Sequence, residues 1–105
     1  EKAILDMAYK EAANALGQEK IKNLASQKIR YEAEIIDETG KTYRPDILAE
    51  DETGLITIVD IKTGTEKTEY YAKQLNNYAS IIEKTGKKVK KKYLLYTSEN
   101  KIVEV

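Results

Sequence analysis

The chain has 105 residues, of which 41% are hydrophobic and 34% charged, and 18 basic and 18 acidic side chains give a formal net charge of zero. This composition predicts one small globular domain over residues 1–105 and excludes collagen-like, disordered and membrane-spanning chains. The absence of cysteine and histidine excludes disulfides, Cys/His zinc sites, iron–sulfur clusters, thiol nucleophiles and a Ser-His-Asp relay, and it fits a cytoplasmic protein.

The N-terminal part of the chain is predicted to be helical. Apolar residues recur at helical spacing over 2–16, and Gly17 supplies a stop. A second helix is predicted over 19–29, because its apolar residues lie on one side.

Three strands are predicted next, over 31–36, 43–50 and 55–62, where the hydrophobic period changes to two. The sequence Asp-Glu-Thr-Gly separates them twice, at 37–40 and 51–54. Each copy places glycine where a three-residue hairpin loop needs a positive φ angle. The pattern therefore predicts a three-stranded antiparallel meander.

The C-terminal part is predicted to add a helix over 66–84 and strands over 89–96 and 101–105. Gly86 closes the helix. The resulting order α(α)βββαββ predicts an α/β fold with a mixed sheet, in which a crossover helix follows the meander.

The predicted hairpins bring charged residues together. If each loop consists of Glu-Thr-Gly, then Glu32 lies opposite Asp46, and Asp46 lies opposite Asp60. One row along, Glu34, Arg44 and Lys62 lie opposite one another. The six charged residues share one face with Ile36, Leu48, Ile56 and Ile58, so part of that face is predicted to be covered. The other face is predicted to be core, formed by Ala33, Ile35, Tyr43, Pro45, Ile47, Ala49, Val59 and Ile61.

Opposed carboxylates repel each other, and a divalent cation would remove that repulsion. The alternative is that Glu32 points to water and Asp46 pairs with Arg44 or Lys62. Both interpretations are compatible with the spacing.

The motif Arg44-Pro45-Asp46 followed by Val59-Asp60-Ile61-Lys62 resembles the PD-(D/E)xK nuclease superfamily. The resemblance implies a restriction-endonuclease-like αβββαβ core and a Mg²⁺ or Mn²⁺ cofactor. It implies that Asp46, Asp60 and the backbone carbonyl of Ile61 are metal ligands. Lys62 would then orient or help deprotonate a water, or stabilise charge on the phosphate.

A second motif, Gln74 followed by Tyr78, looks like the Gln-x-x-x-Tyr motif of the RecB-type branch. The resemblance implies that both residues position DNA or brace the metal site, and the alternative places Tyr78 in the core. The sequence over 89–105 is similar to the C-terminal nuclease domain of helicase–nucleases and to the CRISPR-associated exonuclease, without the cysteines of the latter. RecB-type members often carry a metal-ligand histidine on the first helix. Here Glu11 is the expected catalytic acid, and Asp6 and Glu32 are alternatives.

A run of lysines enters the strand over 89–96. It suggests DNA phosphate contacts, and equally an exposed strand edge that resists aggregation. Two adjacent tyrosines, Tyr70 and Tyr71, are candidates for stacking on bases, although such residues are more often core. The lysines proposed for DNA binding are Lys88, Lys90, Lys91 and Lys92.

The resemblance implies a divalent-metal-dependent deoxyribonuclease of RecB type that acts on DNA phosphodiester bonds. The short chain predicts a homodimer or a larger parent protein such as a helicase. One alternative is a catalytically inactive nuclease-fold module for DNA binding or protein assembly. Another is an unrelated interaction domain in which Asp46, Asp60 and Lys62 form an ion-pair network.

Overall fold

The computed structural model describes residues 28–63, 68–98 and 101–105. The helix predicted over 2–16, most of the helix predicted over 19–29, and the candidate acids Asp6 and Glu11 lie outside these ranges. The helix predicted over 19–29 is wrong at its end, because strand β1 (Lys28–Tyr31) begins there and pairs with a neighbouring strand.

Four further strands join β1: β4 (Ile47–Glu50), β5 (Leu55–Lys62), β6 (Lys88–Tyr96) and β7 (Lys101–Glu104). Together they form a five-stranded mixed sheet in the order β1-β4-β5-β6-β7. Strand β5 pairs antiparallel with β4 and parallel with β6, and β6 pairs antiparallel with β7. The predicted mixed fold with a meander followed by a crossover helix is confirmed.

Helix α1 (Thr68–Glu83) connects the parallel strands β5 and β6. Its buried side chains include Leu75, Tyr78 and Ile82, which recur at helical spacing and pack against one face of the sheet. The helix ends at a tight turn in which Gly86 has a φ of 97° and donates its N–H to the Glu83 carbonyl. Glycine adopts this angle without a steric penalty, as the sequence predicts.

The register of both hairpins matches the prediction. Ile29 lies opposite Ala49 in the first hairpin, and Ile47 lies opposite Val59 in the second. The two Asp-Glu-Thr-Gly turns have the same construction: the aspartate Oδ1 accepts the N–H and hydroxyl of the threonine two residues later and the N–H four residues later. Loop length and turn chemistry therefore determine the pairing.

The first hairpin is interrupted, which the sequence does not predict. The predicted strand 31–36 is divided between β1 and β2 (Ile35–Ile36), and the predicted strand 43–50 between β3 (Thr42–Tyr43) and β4. Glu32 lies in the gap with a φ of 50°, an uncommon angle for a residue with a side chain. The chain turns there, so the alternation of faces restarts beyond the gap.

This restart corrects the predicted faces. Ala33, Ile35 and Tyr43 pack on the α1 side of the sheet, whereas Ile47, Ala49 and Val59 belong to a buried cluster on the other side. Ile36, predicted to share a covered face with Leu48, is 57% exposed. Leu48, Ile56 and Ile58 are buried, as predicted, and the element that covers them is α1.

Among the described residues, no helical segment combines the length and the apolar content that crossing a bilayer requires.

Candidate active site

Two carboxylates meet where the ladder between β4 and β5 opens. Asp46 stands just before β4, and Asp60 lies on β5, where 3% of its surface is exposed. The N–H of Asp46 donates to Asp60 Oδ1 at 3.0 Å, and the N–H of Ile61 donates to Asp46 Oδ2 at 2.7 Å. Each carboxylate therefore accepts a hydrogen bond from the backbone of the other's strand, which fixes the two side chains against each other.

The proximity of the carboxylates disfavours the charge on Asp46. Burial, reinforced by the adjacent Asp60 carboxylate, raises the pKa of Asp46 from 3.8 to about 6, although the Ile61 N–H and Lys62 act in the opposite direction. Lys62 Nζ lies 3.2 Å from Asp60 Oδ2 and also lowers the pKa of Asp46, so one ammonium acts on both carboxylates. With both acids ionised, the group has an excess of one negative charge.

Pro45 explains why a backbone carbonyl is available at this point. Asp51 N–H donates to the Leu55 carbonyl, so alternate residues of β5 from Leu55 onward direct their backbone groups towards β4. Ile61 is one of them, as its N–H bond to Asp46 shows. Continuing the register beyond Ile47 places Pro45 opposite Ile61, and proline has no N–H to donate. The Ile61 carbonyl therefore lacks the partner that a regular ladder would provide.

The donor set fits a hard divalent cation. Two carboxylates and a carbonyl supply oxygen ligands, and Mg²⁺ is usually bound by one or two carboxylates together with waters and substrate phosphates. Among the described residues, no group of three or more acidic side chains is placed to share a cation. The predicted row of three acids is therefore reduced to two: Glu32 is exposed, and its N–H donates to the Asp46 carbonyl at 3.0 Å.

Helix α1 holds Lys62 in place. Gln74 Oε1 accepts a hydrogen bond from Lys62 Nζ at 2.9 Å, and Tyr71 presents its ring at 4.3 Å from the same nitrogen. A cation above an aromatic ring is attracted by its quadrupole. Lys62 thus has three partners, and only 17% of its side chain is exposed.

Tyr78 lies near the two carboxylates. Burial raises the pKa of Tyr78 to about 12, with further contributions from the Asp60 and Asp46 carboxylates, while a hydrogen bond with Gln74 acts in the opposite direction. The two residues share one face of α1, as their spacing of four predicts. Tyr78 is also 5% exposed and packs in the core, which confirms the core interpretation, and its role in positioning DNA stays a prediction.

Two contributions to the site are not predicted by the sequence. Tyr71 packs against the buried cluster on the α1 side, as its core interpretation expects, and its ring also lies against Lys62, which the sequence does not predict. Tyr43 is expected on the opposite face, whereas its ring meets the edge of Tyr78 at 5.9 Å between centroids. The spacing of Tyr71, Gln74 and Tyr78 extends the Gln-x-x-x-Tyr pattern by one turn and is the signal that could have indicated Tyr71.

The predicted row of Glu34, Arg44 and Lys62 is only partly formed. Arg44 lies 3.5 Å from Glu34, and both side chains are largely exposed. Lys62 instead pairs with Asp60. The alternative in which Asp46 pairs with Arg44 or Lys62 is therefore wrong, because among the described residues Arg44 pairs with Glu34 and Lys62 with Asp60.

The lysine run approaches the carboxylates along β6. Lys88 pairs with Leu55, about 16 Å along β5 from Asp60 at ~3.3 Å per residue, whereas Lys92 pairs with Ile58, two residues from Asp60. Three of the proposed DNA-binding lysines have partners: Lys90 with Asp51 at 2.8 Å, Lys91 with Glu104 at 2.9 Å and Lys92 with Asn76 at 2.6 Å. Among the described strands, β7 joins β6 only from Tyr93 onward, so the run also borders a sheet edge.

Comparison with known proteins finds a partial sequence similarity. No family model matches the chain. The chain is 46% identical over 68 residues to one subunit of the ATP-dependent helicase/nuclease of Carboxydothermus hydrogenoformans. The match takes in 57% of this chain and 6% of that relative, so the chain spans a small part of the relative's length.

Proposed function

We propose that the chain is the catalytic part of a divalent-metal-dependent deoxyribonuclease of RecB type, belonging to a larger DNA-processing protein. The observation that carries the proposal is the pairing of Asp46 and Asp60 across an opened ladder, beside Lys62 and the Ile61 carbonyl. The similarity to part of a helicase/nuclease supports the same assignment.

Asp46, Asp60 and the Ile61 carbonyl would hold Mg²⁺ or Mn²⁺. When bound, the ion lowers the pKa of a water and neutralises charge on the phosphate. Glu11, which lies outside the described residues, remains the proposed additional acid. The protein's own contribution is to hold these oxygens at one point, which the reciprocal backbone hydrogen bonds achieve before any ligand arrives.

Lys62 is the group proposed to act on the substrate. Its ammonium projects from the same face of β5 as Asp60, because the two residues are two apart on one strand. Gln74 and Tyr71 hold it without neutralising its charge. Lys62 therefore donates hydrogen bonds to a phosphate oxygen or to the attacking water, and stabilises the negative charge that develops during phosphodiester cleavage.

A catalytically inactive module is the second candidate. The Lys62–Asp60 pair at 3.2 Å and the two backbone hydrogen bonds to the carboxylates already give every one of these groups a structural partner. In that case the site would stabilise the sheet, and the chain would serve DNA binding or protein assembly.

Cleavage assays on Asp60→Asn distinguish the two candidates. Asparagine has the shape of aspartate and can still accept the Asp46 N–H through Oδ1, whereas alanine would leave that N–H without its acceptor. We expect Mn²⁺-dependent cleavage of labelled single-stranded and duplex DNA to fall by at least about 100-fold, with the circular dichroism spectrum unchanged. The control is Glu52→Gln, at an exposed turn residue. Equal activity in Asp60→Asn and the wild type would contradict the site assignment.

A further inference from the structure

Tyr70 is an exposed aromatic residue at the edge of the candidate site. Its side chain lies in the first turn of α1 and is 69% exposed, although most tyrosines of the described sheet and helix are partly or fully buried. A tyrosine ring offers a flat apolar surface at a small cost in side-chain entropy, and an exposed one beside a polyanion-binding site is suited to stacking on a base.

A chain of ring contacts connects Tyr70 to the proposed catalytic lysine. The Tyr70 and Tyr71 rings meet edge to face, with centroids 5.4 Å apart and planes at 68°. Tyr71 in turn lies 4.3 Å from Lys62 Nζ, which puts the Tyr70 ring within about 10 Å of that nitrogen. A base attached to a phosphate at Lys62, or its neighbour along the strand, is within reach of Tyr70.

The supporting rings are anchored in the core. Tyr71 also contacts Tyr96, with ring centroids 6.4 Å apart, and Tyr96 is fully buried. The Tyr96 hydroxyl lies 3.4 Å from Thr68 Oγ1 at the start of α1. The contact with Tyr71 limits the positions that Tyr70 adopts, so the surface it offers is arranged in advance.

We propose that Tyr70 stacks on an unpaired base next to the phosphate held at Lys62, and that the preferred substrate is therefore a single-stranded or frayed end of DNA. This inference rests on the proposed function. In an intact duplex each base is already paired and stacked, so Tyr70 gains a stacking partner only where a base has left the helix. Tyr71 is excluded from that role, because its ring is turned to Lys62 and Tyr96.

The absence of tryptophan from the chain allows a direct test. In Tyr70→Trp the new indole is the single tryptophan, and stacking on a base quenches its fluorescence. The probe is a short single-stranded oligodeoxynucleotide in Ca²⁺, which has the same oxygen-ligand preference as Mg²⁺. We expect quenching by this oligonucleotide and little by a blunt duplex of the same sequence or by an oligomer of abasic sugar-phosphate units.

The matched control is Ile36→Trp, at the other large apolar side chain exposed among the described residues, which lies on β2 away from Lys62. Its fluorescence should not respond to any of the three probes. Equal quenching in the two variants, equal quenching by single strand and duplex, or oligonucleotide binding without quenching in Tyr70→Trp would each overturn the proposal.

Affinity measurements supply a second readout with the native aromatic. We expect Tyr70→Ala to weaken single-strand binding at least about five-fold, Tyr70→Phe to restore it, and duplex binding to be unchanged. If Tyr70→Trp shows no stacking while the wild type still cleaves DNA in Mn²⁺, this inference alone is overturned. Stacking without cleavage would overturn the proposed nuclease activity alone, and no oligonucleotide binding by any variant would overturn both.

Discussion

Asp46 is held where its negative charge is least favourable. Its carboxyl group is surrounded by the sheet and by Asp60, which together raise its pKa to about 6, and Lys62 offsets only part of that effect. The same Lys62 is directed at Asp60 by Gln74 and Tyr71. The folded protein is therefore expected to lose stability when Asp46 ionises, and the proposed cation would relieve this cost.

Replacing Asp46 by asparagine should stabilise the metal-free protein at neutral pH. The folded-state pKa of Asp46 lies above its ordinary value of 3.8, so the folded protein loses stability as the pH rises through the window from about 4 to about 6. Asparagine has no titratable proton, so the variant does not undergo this loss. We expect Asp46→Asn to be more stable than the wild type above pH 6 by about 1–2 kcal/mol, since a tenfold change in proton affinity corresponds to about 1.4 kcal/mol and solvent screening at a partly exposed carboxyl reduces the effect of the full shift. Below about pH 4 the two should be nearly equal.

Urea denaturation of both proteins at about pH 4.5 and 7.5, in a chelator, measures this difference. Comparison at equal pH is needed because carboxylates with lowered pKa values, those of Asp37, Glu50 and Asp51, contribute stability that is gained as pH rises. Glu52→Gln supplies the control. A difference between Asp46→Asn and the wild type that does not grow with pH would contradict the strained-carboxylate account.

At the scale of elements, the two Asp-Glu-Thr-Gly turns set the positions of the site residues. Each turn fixes a three-residue loop, and that loop length determines which residues of the flanking strands lie opposite each other. The second turn therefore places Asp46 opposite Asp60. A shift of one residue would move Asp60 to the other face of the sheet.

The second turn depends on the positive φ of Gly54, which is 87°. We expect Gly54→Ala to lower the free energy of unfolding by about 1 kcal/mol, because an L side chain is strained at this angle even though the nearest atom lies 3.9 Å from an added Cβ. Asparagine tolerates the left-handed region better, so Gly54→Asn should cost less. Thermal melting of the two variants tests the order, and an alanine variant at least as stable as the asparagine variant would contradict it.

The register could be predicted from the sequence, but the interruption of the first hairpin could not. Register follows from loop length and turn residues, both of which are local. The break follows from the φ of Glu32, which no side-chain pattern signals. It also follows from Pro45, which cannot donate an N–H to Ile61 on the neighbouring strand, and this pairing is known only once the strands are placed. The proposed roles of Asp46, Asp60 and Lys62 were accessible from spacing and resemblance, whereas the ring contact of Tyr71 with Lys62 required the helix to be placed.

At the scale of the whole molecule, the charged residues are unevenly distributed. Residues 32–60 carry nine acidic and two basic residues, whereas residues 61–105 carry ten basic and five acidic residues. Several of these opposite charges pair across the sheet at the end remote from Asp60, as Lys87 does with Glu50 and Lys90 with Asp51. DNA phosphates must therefore replace these carboxylates before the paired lysines can contact DNA.

Neutralising Lys88, Lys90, Lys91 and Lys92 together as glutamines tests their proposed contact with DNA. Each lost phosphate contact should reduce the slope of log affinity against log salt concentration by about 0.7–0.9. Fluorescence anisotropy across a salt series measures the slope. An unchanged slope with a lower melting temperature would assign the run to ion pairs that stabilise the sheet edge.

The binding of a divalent cation by Asp46 and Asp60 is the central claim, and thermal melting in a titration of Mn²⁺ tests it most directly. Binding confined to the folded state raises the melting temperature with concentration. We predict a rise for the wild type and for Glu52→Gln, and none for Asp46→Asn, whose melting temperature at pH 7.5 should already exceed that of the metal-free wild type. An equal rise in all three proteins, or none in the wild type at saturating Mn²⁺, would contradict the claim.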